Sequence, residues 1–190
     1  MSRASRVAVA ALLATSIVNT ARAQSRAVVL FGHGGRHFSV VNLAEGGDQF
    51  SSAFSFGGGL ALQVGATAAL RGSATYLKTN YAGSTLSLAE PGLARLYFGG
   101  DLQFGWPSEA GFVPYLFLGG GAVRTDPDDD SLESVTDLAG RFGAGFNRVA
   151  GLGAFFVEVV GWIYRFNSYG FDRAQFDVGL QGGLAFALPF

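Results

Sequence analysis

The chain of 190 residues contains no cysteine, which excludes disulfide bonds and thiolate metal sites. Charged residues are scarce, at 14% of the chain, against about 25% in typical soluble domains. After the amino-terminal segment the sequence also lacks any apolar run of the roughly 20 residues that a membrane-spanning helix requires. Apolar residues nevertheless make up 49% of the chain. High apolar content without long apolar runs indicates strands in which apolar and polar residues alternate.

The amino-terminal segment has the pattern of a cleaved signal peptide. Two arginines precede an apolar run from Val7 to Val18, and an Ala-Arg-Ala cleavage motif ends at residue 23. We therefore expect residues 1–23 to be removed during export, leaving residues 24–190 as a single domain. This mature chain holds ten basic and 14 acidic residues, a net charge of −4. Such a charge argues against nucleic acid as a partner.

The last seventeen residues, 174–190, show the alternation most clearly. Every second residue from Phe176 to Phe190 is apolar apart from one glycine, whereas the intervening residues are mostly polar or small. A period of two indicates a strand whose two faces meet different environments. In an outer-membrane barrel the apolar face meets lipid and the polar or small face lines the lumen.

Alternation along the rest of the chain predicts eight strands in all. The fifth strand is apolar on both faces, so the pattern does not set its register. Long and short connections alternate between the strands, as expected for long external loops and short periplasmic turns. We therefore predict an all-β fold, an eight-stranded antiparallel up-and-down transmembrane β-barrel. The predicted strands are 26–37, 53–64, 67–78, 95–106, 112–124, 136–148, 152–166 and 174–190.

The mature chain resembles the small eight-stranded outer-membrane proteins of bacteria, the group of the OmpA transmembrane domain and OmpX. The resemblance rests on the alternation, the sorting of the loops, Phe112-Val113-Pro114-Tyr115 at the start of the fifth strand and the terminal Phe190. It implies a location in the outer membrane and contact with outer-membrane lipid and lipopolysaccharide. It also implies that the barrel-assembly machinery recognises the last strand, with Phe190 as the assembly signal.

The resemblance implies an architecture and not one role, since the group includes anchors, adhesins, immune-evasion proteins and a few enzymes. We expect a monomeric, non-enzymatic protein without a cofactor, which acts as a structural or surface-interaction protein through its extracellular loops. Three alternatives stay open: a lipid A-modifying enzyme of the deacylase kind, a small-solute channel and a soluble lipocalin-like carrier. The carrier would expose charge on its outer face, which the low charge content disfavours.

Five charged residues fall on the lumen face that the apolar alternation predicts, and Glu158 joins them if charge decides the register of its strand, because a carboxylate facing lipid at mid-depth would be expensive. Eight strands enclose only enough space for side chains to fill, and an isolated buried charge costs several kcal/mol. We therefore predict that these residues form ion pairs that plug the lumen. Arg141 is expected to pair with Glu158, which lies on the neighbouring strand. The predicted lumen ion-pair network consists of Arg71, Arg95, Asp101, Arg141, Glu158 and Asp177.

His37-Phe38-Ser39 superficially resembles the His-x-Ser motif of the outer-membrane lipid A 3-O-deacylases. Residues two apart on a strand face the same way, so the imidazole could reach the hydroxyl. The motif lies late in those enzymes but early in this chain, and Val40 stands where the family has Asn. We therefore interpret His37 and Ser39 as residues at the edge of a loop and predict no catalytic residues.

An acidic loop gives the one candidate metal site. Its aspartates fall at positions one, three, five and twelve of a calcium-loop spacing. Ser131 replaces the turn glycine and Pro127 stiffens position two, so two interpretations stay open: a solvated charged loop, or a weak external Ca²⁺ or Mg²⁺ site. The four candidate ligands are Asp126, Asp128, Asp130 and Asp137.

Overall fold

The computed structural model describes residues 27–65, 67–86, 92–106, 111–150 and 153–188, without the side chains of residues 149 and 150. The predicted signal peptide and Phe190 lie outside these described residues. Among the described residues, no helix is long and apolar enough to cross a membrane.

The described residues form eight long strands and one short strand, all antiparallel to their neighbours. Each long strand pairs with the next long strand along the chain, and the first and last long strands also pair, so the sheet closes into an eight-stranded barrel. The short β2 pairs with the end of β4, beyond the barrel wall. The strands are β1 Val28–Ser39, β2 Gln49–Phe50, β3 Ala53–Gln63, β4 Ala68–Ala82, β5 Gly92–Gly105, β6 Phe112–Pro127, β7 Val135–Ala150, β8 Gly153–Ser168 and β9 Phe171–Leu188.

The two faces of the barrel wall differ as the alternation predicts. Large apolar side chains point outward and stay exposed, among them Leu138 at 86% and Phe54 at 78%. Aromatic, polar and charged side chains point inward, and Tyr97 and Trp162 are almost completely buried. Pairing with β5 and β7 sets the register of β6, which its sequence left open. Its inward residues include Val113, Tyr115 and Phe117, whereas Leu116 and Leu118 face outward.

The connections differ between the two ends of the barrel. At one end 13, nine and seven residues separate β1 from β3, β4 from β5 and β6 from β7, whereas at the other end only four, six and two residues separate β3 from β4, β5 from β6 and β7 from β8. The prediction of a long loop at residues 167–173 is wrong. Tyr169 and Gly170 form a two-residue turn with φ values of 56° and 84°. Positive φ at both residues is the geometry of a type I′ turn, which lets β8 and β9 continue to the hairpin tip.

Candidate functional site: the barrel lumen and the long-loop end

Arg71 and Glu158 form an ion pair that crosses the lumen. Arg71 Nη1 and Nη2 donate to the two carboxylate oxygens of Glu158 at 2.8 and 3.0 Å. Their strands, β4 and β8, lie on opposite sides of the barrel. Glu158 also accepts hydrogen bonds from the Tyr115 hydroxyl at 2.7 Å and from Gln181 Nε2 at 2.6 Å. Every acceptor position of this buried carboxylate is thus directed at a donor, as a buried charge requires.

Arg95 and Asp177 form a second ion pair across the lumen, nearer to the long-loop end. Arg95 Nη2 lies 3.0 Å from Asp177 Oδ2, and strands β5 and β9 also lie opposite each other. The hydroxyls of Tyr97 and Tyr164 donate to the same oxygen at 2.8 and 2.9 Å. Ser39 donates to the other carboxylate oxygen at 2.6 Å. The pair therefore joins four strands at one level of the lumen.

Arg141 pairs with Asp101, and the prediction that it pairs with Glu158 is wrong. Arg141 Nη1 donates to Asp101 Oδ2 and, at 2.7 Å, to the Ser73 hydroxyl. Between β7 and β8, the residue opposite Glu158 is Gly145, four positions from Arg141. That offset amounts to roughly 14 Å along the strand, because a residue rises about 3.4 Å. All six predicted network residues thus lie in the lumen as three buried ion pairs.

The His37 and Ser39 side chains both face the lumen but do not form a nucleophile–base pair. The Ser39 hydroxyl donates to Asp177, and the His37 ring stacks on Tyr97 with centroids 4.5 Å apart. Neither ring nitrogen of His37 has a hydrogen-bond partner among the described residues. Nucleophilic catalysis by serine needs a base within hydrogen-bond reach, and this arrangement does not supply one.

The four aspartates of the predicted cation site do not converge on one point. Asp126 is hydrogen-bonded to Arg124, and Asp128 lies 2.9 Å from Lys78 Nζ. No group of three or more His, Cys, Asp or Glu side chains that could hold a metal ion exists among the described residues, which include all four. The calcium-loop spacing is therefore misleading here, because Asp137 pairs with Val123, three positions from Asp126, and an odd offset along a strand puts two side chains on opposite faces.

Asp48 fastens the first long loop to the second, a contact that sequence reasoning missed. Its Oδ1 accepts hydrogen bonds from the Tyr81 hydroxyl and from the Ser84 and Thr85 backbone amides, and its Oδ2 accepts one from the Thr85 hydroxyl. These hydrogen bonds hold the pKa of Asp48 below its usual range. The bond from the Thr85 hydroxyl lowers the pKa most, and the bond from the Tyr81 hydroxyl comes next. In the sequence, Asp48 after two glycines signals only a turn.

The first long loop also covers the mouth of the lumen. Leu43 and Phe50 are buried there, and the Arg95 guanidinium lies 4.4 Å from the centre of the Phe50 ring. At the other end, a cavity of about 50 Å³ lies behind Arg71 and Glu158 and is lined partly by Ala61, Ala69, Ala154 and Ala185. Side chains thus close the lumen between a covered mouth and a small vestibule.

Comparison with solved structures finds barrels of the same kind. Neisserial surface protein A superposes with a TM-score of 0.63 at 11% identity, over 85% of this chain and 96% of that one. OprG from Pseudomonas aeruginosa superposes with a TM-score of 0.55 at 15% identity, over 87% of this chain and 97% of that one. AlkL, whose structure was determined in lipid bilayers, superposes with a TM-score of 0.57 at 14% identity, over 92% of this chain and 95% of that one.

Comparison of the sequence with family models finds no match, and comparison with curated proteins finds none either. At these identities the structural likeness establishes the fold. The chain has the fold of the small eight-stranded outer-membrane barrels, the group of the OmpA transmembrane domain and OmpX.

Proposed function

We propose that the protein is an integral outer-membrane barrel that reaches its site after export and loss of residues 1–23. The observation that carries this proposal is the belt of exposed Leu, Phe, Val and Ile side chains around the outer wall. Water disfavours so large a continuous apolar surface, whereas lipid accommodates it. The long strands have 11 to 18 residues, enough for the roughly 9 to 11 residues that a tilted strand needs to cross a bilayer.

The ion-paired lumen supports a plugged barrel and argues against a diffusion pore. Arg71–Glu158 and Arg95–Asp177 each join opposite walls, and Trp162, Tyr97 and other aromatic side chains occupy the space between them. An eight-stranded barrel has room for little more than side chains. An open channel would require these buried pairs to separate.

The function that this arrangement supports best is non-enzymatic. The protein would act as a structural or surface-interaction protein, with lipopolysaccharide and outer-membrane lipid around it and its longer loops outside. The hydrogen bonds that Asp48 accepts attach the first long loop to the second, and this gives the long-loop end of the barrel a defined surface. Assembly would proceed through the barrel-assembly machinery, which would read the carboxy-terminal strand.

Three measurements on one expressed and purified sample test this proposal. We expect recovery in the outer-membrane fraction, faster migration on gels before boiling than after it, and no stable conductance steps in planar bilayers. Lipid A from expressing cells should keep its acyl chains. Recovery from the soluble periplasm would refute membrane insertion, stable open channels would refute the plugged lumen, and deacylated lipid A would refute the non-enzymatic role.

A further inference from the structure

Arg36 is an arginine on the outward face of the barrel for which the described residues supply no acidic partner. It lies on β1, three residues before the strand ends at Ser39, and its side chain is exposed. The ion pairs among the described residues leave it without a carboxylate, whereas the outward Lys78, Arg124 and Arg165 pair with Asp128, Asp126 and Asp172. Arg36 is therefore a positive charge on an apolar wall that no carboxylate among the described residues neutralises.

The neighbours of Arg36 hold its guanidinium in place but use few of its hydrogen-bond donors. Its Nη2 donates to the Ser52 hydroxyl at 3.0 Å. The guanidinium carbon lies 5.5 Å from the centre of the Phe54 ring and 5.8 Å from that of Phe38. This one neutral hydrogen bond and the two ring contacts use few of the five N–H donors of an arginine, so most of them stay available to a ligand. A planar, positioned guanidinium of this kind suits a phosphate group, which it can bind at two points.

A second cation lies beside Phe54 on the same outward surface. Ser55 of β3 pairs with Leu77 of β4, and this register puts Lys78 beside Phe54. On the other side of β3, Arg36 of β1 pairs with the same Phe54. Adjacent strands are about 4.8 Å apart, so Arg36 and Lys78 are roughly 10 Å apart across Phe54. The Lys78–Asp128 pair is exposed, and exposed pairs contribute little to stability, so Lys78 can turn toward an anionic ligand.

We propose that Arg36, with Lys78 as second cation, binds the phosphate groups of an outer-leaflet glycolipid of the lipid A class. This inference rests on the proposed function, because it requires the long-loop end to face outward in a membrane. The residues below the two cations are apolar and exposed, with Phe56 at 64% and Leu60 at 53%. Cations at the rim and apolar side chains beneath them match a phosphorylated headgroup with acyl chains in both charge and depth.

The opposite end of the barrel offers a matched control. Arg148 is also exposed, and its guanidinium lies 4.9 Å from the centre of the Phe112 ring. It lies near the short-turn end, and its cross-strand partner is that same Phe112. The two arginines share chemistry and aromatic contact but lie at opposite ends of the wall. Lipid A in the outer leaflet would reach Arg36 and not Arg148.

The test measures lipid retention by the purified, refolded full-length mature chain. Native mass spectrometry compares bound bis-phosphorylated lipid A with the same lipid A from which both phosphates have been removed. Wild type and Arg148→Ala should retain the phosphorylated lipid in preference to the dephosphorylated one. Arg36→Ala should reduce that preference about tenfold, the loss expected when charge-assisted hydrogen bonds are removed. Arg36→Lys should keep part of it, and millimolar inorganic phosphate should not displace the lipid, because it lacks acyl chains.

The outcomes separate this inference from the proposed function. Each variant is first checked for faster migration on gels before boiling. A folded barrel that retains both lipids equally, or that loses the preference equally in Arg36→Ala and Arg148→Ala, overturns the lipid site and leaves the membrane barrel standing. Displacement by inorganic phosphate overturns the assignment to a lipid. Failure of the wild type to insert into vesicles overturns the membrane placement and this inference with it.

Discussion

Arg71 and Glu158 lie on opposite walls of the barrel and meet across the lumen through two hydrogen bonds of 2.8 and 3.0 Å. Their strands are not neighbours in the sheet, so the pair ties together wall segments that the β-ladder does not connect directly. Both side chains are at most 4% exposed. Removing one partner would leave a buried charge without compensation, which is the costly change.

Glu158→Gln is therefore expected to destabilise the folded barrel strongly. The amide keeps the shape of the side chain but leaves the Arg71 charge unpaired, at a cost of about 3–5 kcal/mol. Urea-induced unfolding in lipid vesicles measures the change in the free energy of unfolding. The control is Asp126→Asn, which removes the exposed pair with Arg124 and should cost about 0–1 kcal/mol. Similar small effects in both variants would indicate that water screens the lumen pair.

A double-mutant cycle is expected to couple Arg141 to Asp101 much more strongly than to Glu158. Arg141 donates directly to Asp101 and to Ser73, whereas Glu158 lies opposite Gly145, four positions away along β7. Coupling energies from the unfolding of Arg141→Ala, Asp101→Ala and the double variant should reach about 0.5–3 kcal/mol, the range for residues in contact. A larger coupling in the parallel cycle with Glu158 would contradict the pairing in the structure.

The sequence predicts the barrel and its inward charges but not which charges pair. Alternation assigns Arg71 to the lumen face because a period of two fixes the face of every residue in a strand. Glu158 is assigned there by its charge, because a carboxylate that faces lipid would be expensive. Partners across the lumen depend on how far neighbouring strands are staggered around the closed barrel, and no local pattern encodes that stagger. Two charges on adjacent strands are the pair that the sequence favours, which is why the predicted pairing of Arg141 with Glu158 is wrong.

The sequence also does not indicate how the loops turn or what they contact. The Tyr169-Gly170 turn lacks the Asn-Gly or Asp-Gly signal that usually marks a two-residue hairpin, so the polar residues around it favoured a long loop. Asp48 contacts residues of the second loop that are 36 and 37 positions away in the chain, and a single carboxylate after two glycines does not indicate such a partner. The spaced aspartates from Asp126 to Asp137 show the converse error, because their spacing suggests a ligand set whereas the β6–β7 register puts Asp126 and Asp137 on opposite faces of the sheet.

Inward-facing glycines are expected to be essential where the strands approach closely. A Cβ atom at Gly119 would lie 2.0 Å from the Gly100 carbonyl oxygen, which is backbone of the neighbouring strand and cannot move aside. At the outward Gly120 the nearest atom would be 3.4 Å away. Gly119→Ala should therefore strongly reduce the fraction of protein that shows heat-modifiable migration, and Gly120→Ala should reduce it much less. Equal yields of folded barrel would contradict the clash.

His37→Phe is expected to keep or raise the stability of the barrel. Both ring nitrogens of His37 are buried without a hydrogen-bond partner among the described residues, while the ring stacks on Tyr97 at 4.5 Å. Phenylalanine keeps the stacked ring and removes polar atoms that cost about 1–3 kcal/mol when they are buried without partners. Urea unfolding in vesicles measures the change, with His33→Phe as the control. His33 accepts or donates one hydrogen bond with Thr75 at 2.9 Å, so its replacement should be less favourable. A loss of stability in His37→Phe alone would show that the imidazole has a polar role.

Asp48→Asn is expected to release the first long loop from the second while the barrel stays folded. Hydrogen bonds from the Thr85 and Tyr81 hydroxyls and from the backbone lower the pKa of Asp48. A carboxyl group whose pKa is lowered in the folded state stabilises that state above its ordinary pKa of about 3.9, and the contribution is lost as the pH falls through the lower folded value. In the wild type the two loops should therefore remain joined at pH values down to about 4 and separate only in stronger acid.

Limited proteolysis of the refolded barrel measures this opening, with a neutral protease near pH 7 and an acid protease at lower pH. Asp48→Asn should be cut within residues 40–52 at both pH values, because an amide cannot accept the same four hydrogen bonds as a carboxylate. Wild type should resist cleavage until the pH falls well below the ordinary carboxyl pKa. Glu45→Gln makes the matched control, since Glu45 lies in the same loop with a side chain that is 93% exposed. Equal cleavage of the Glu45 and Asp48 variants would mean that loss of any negative charge opens the loop, and that the Asp48 hydrogen bonds do not hold it.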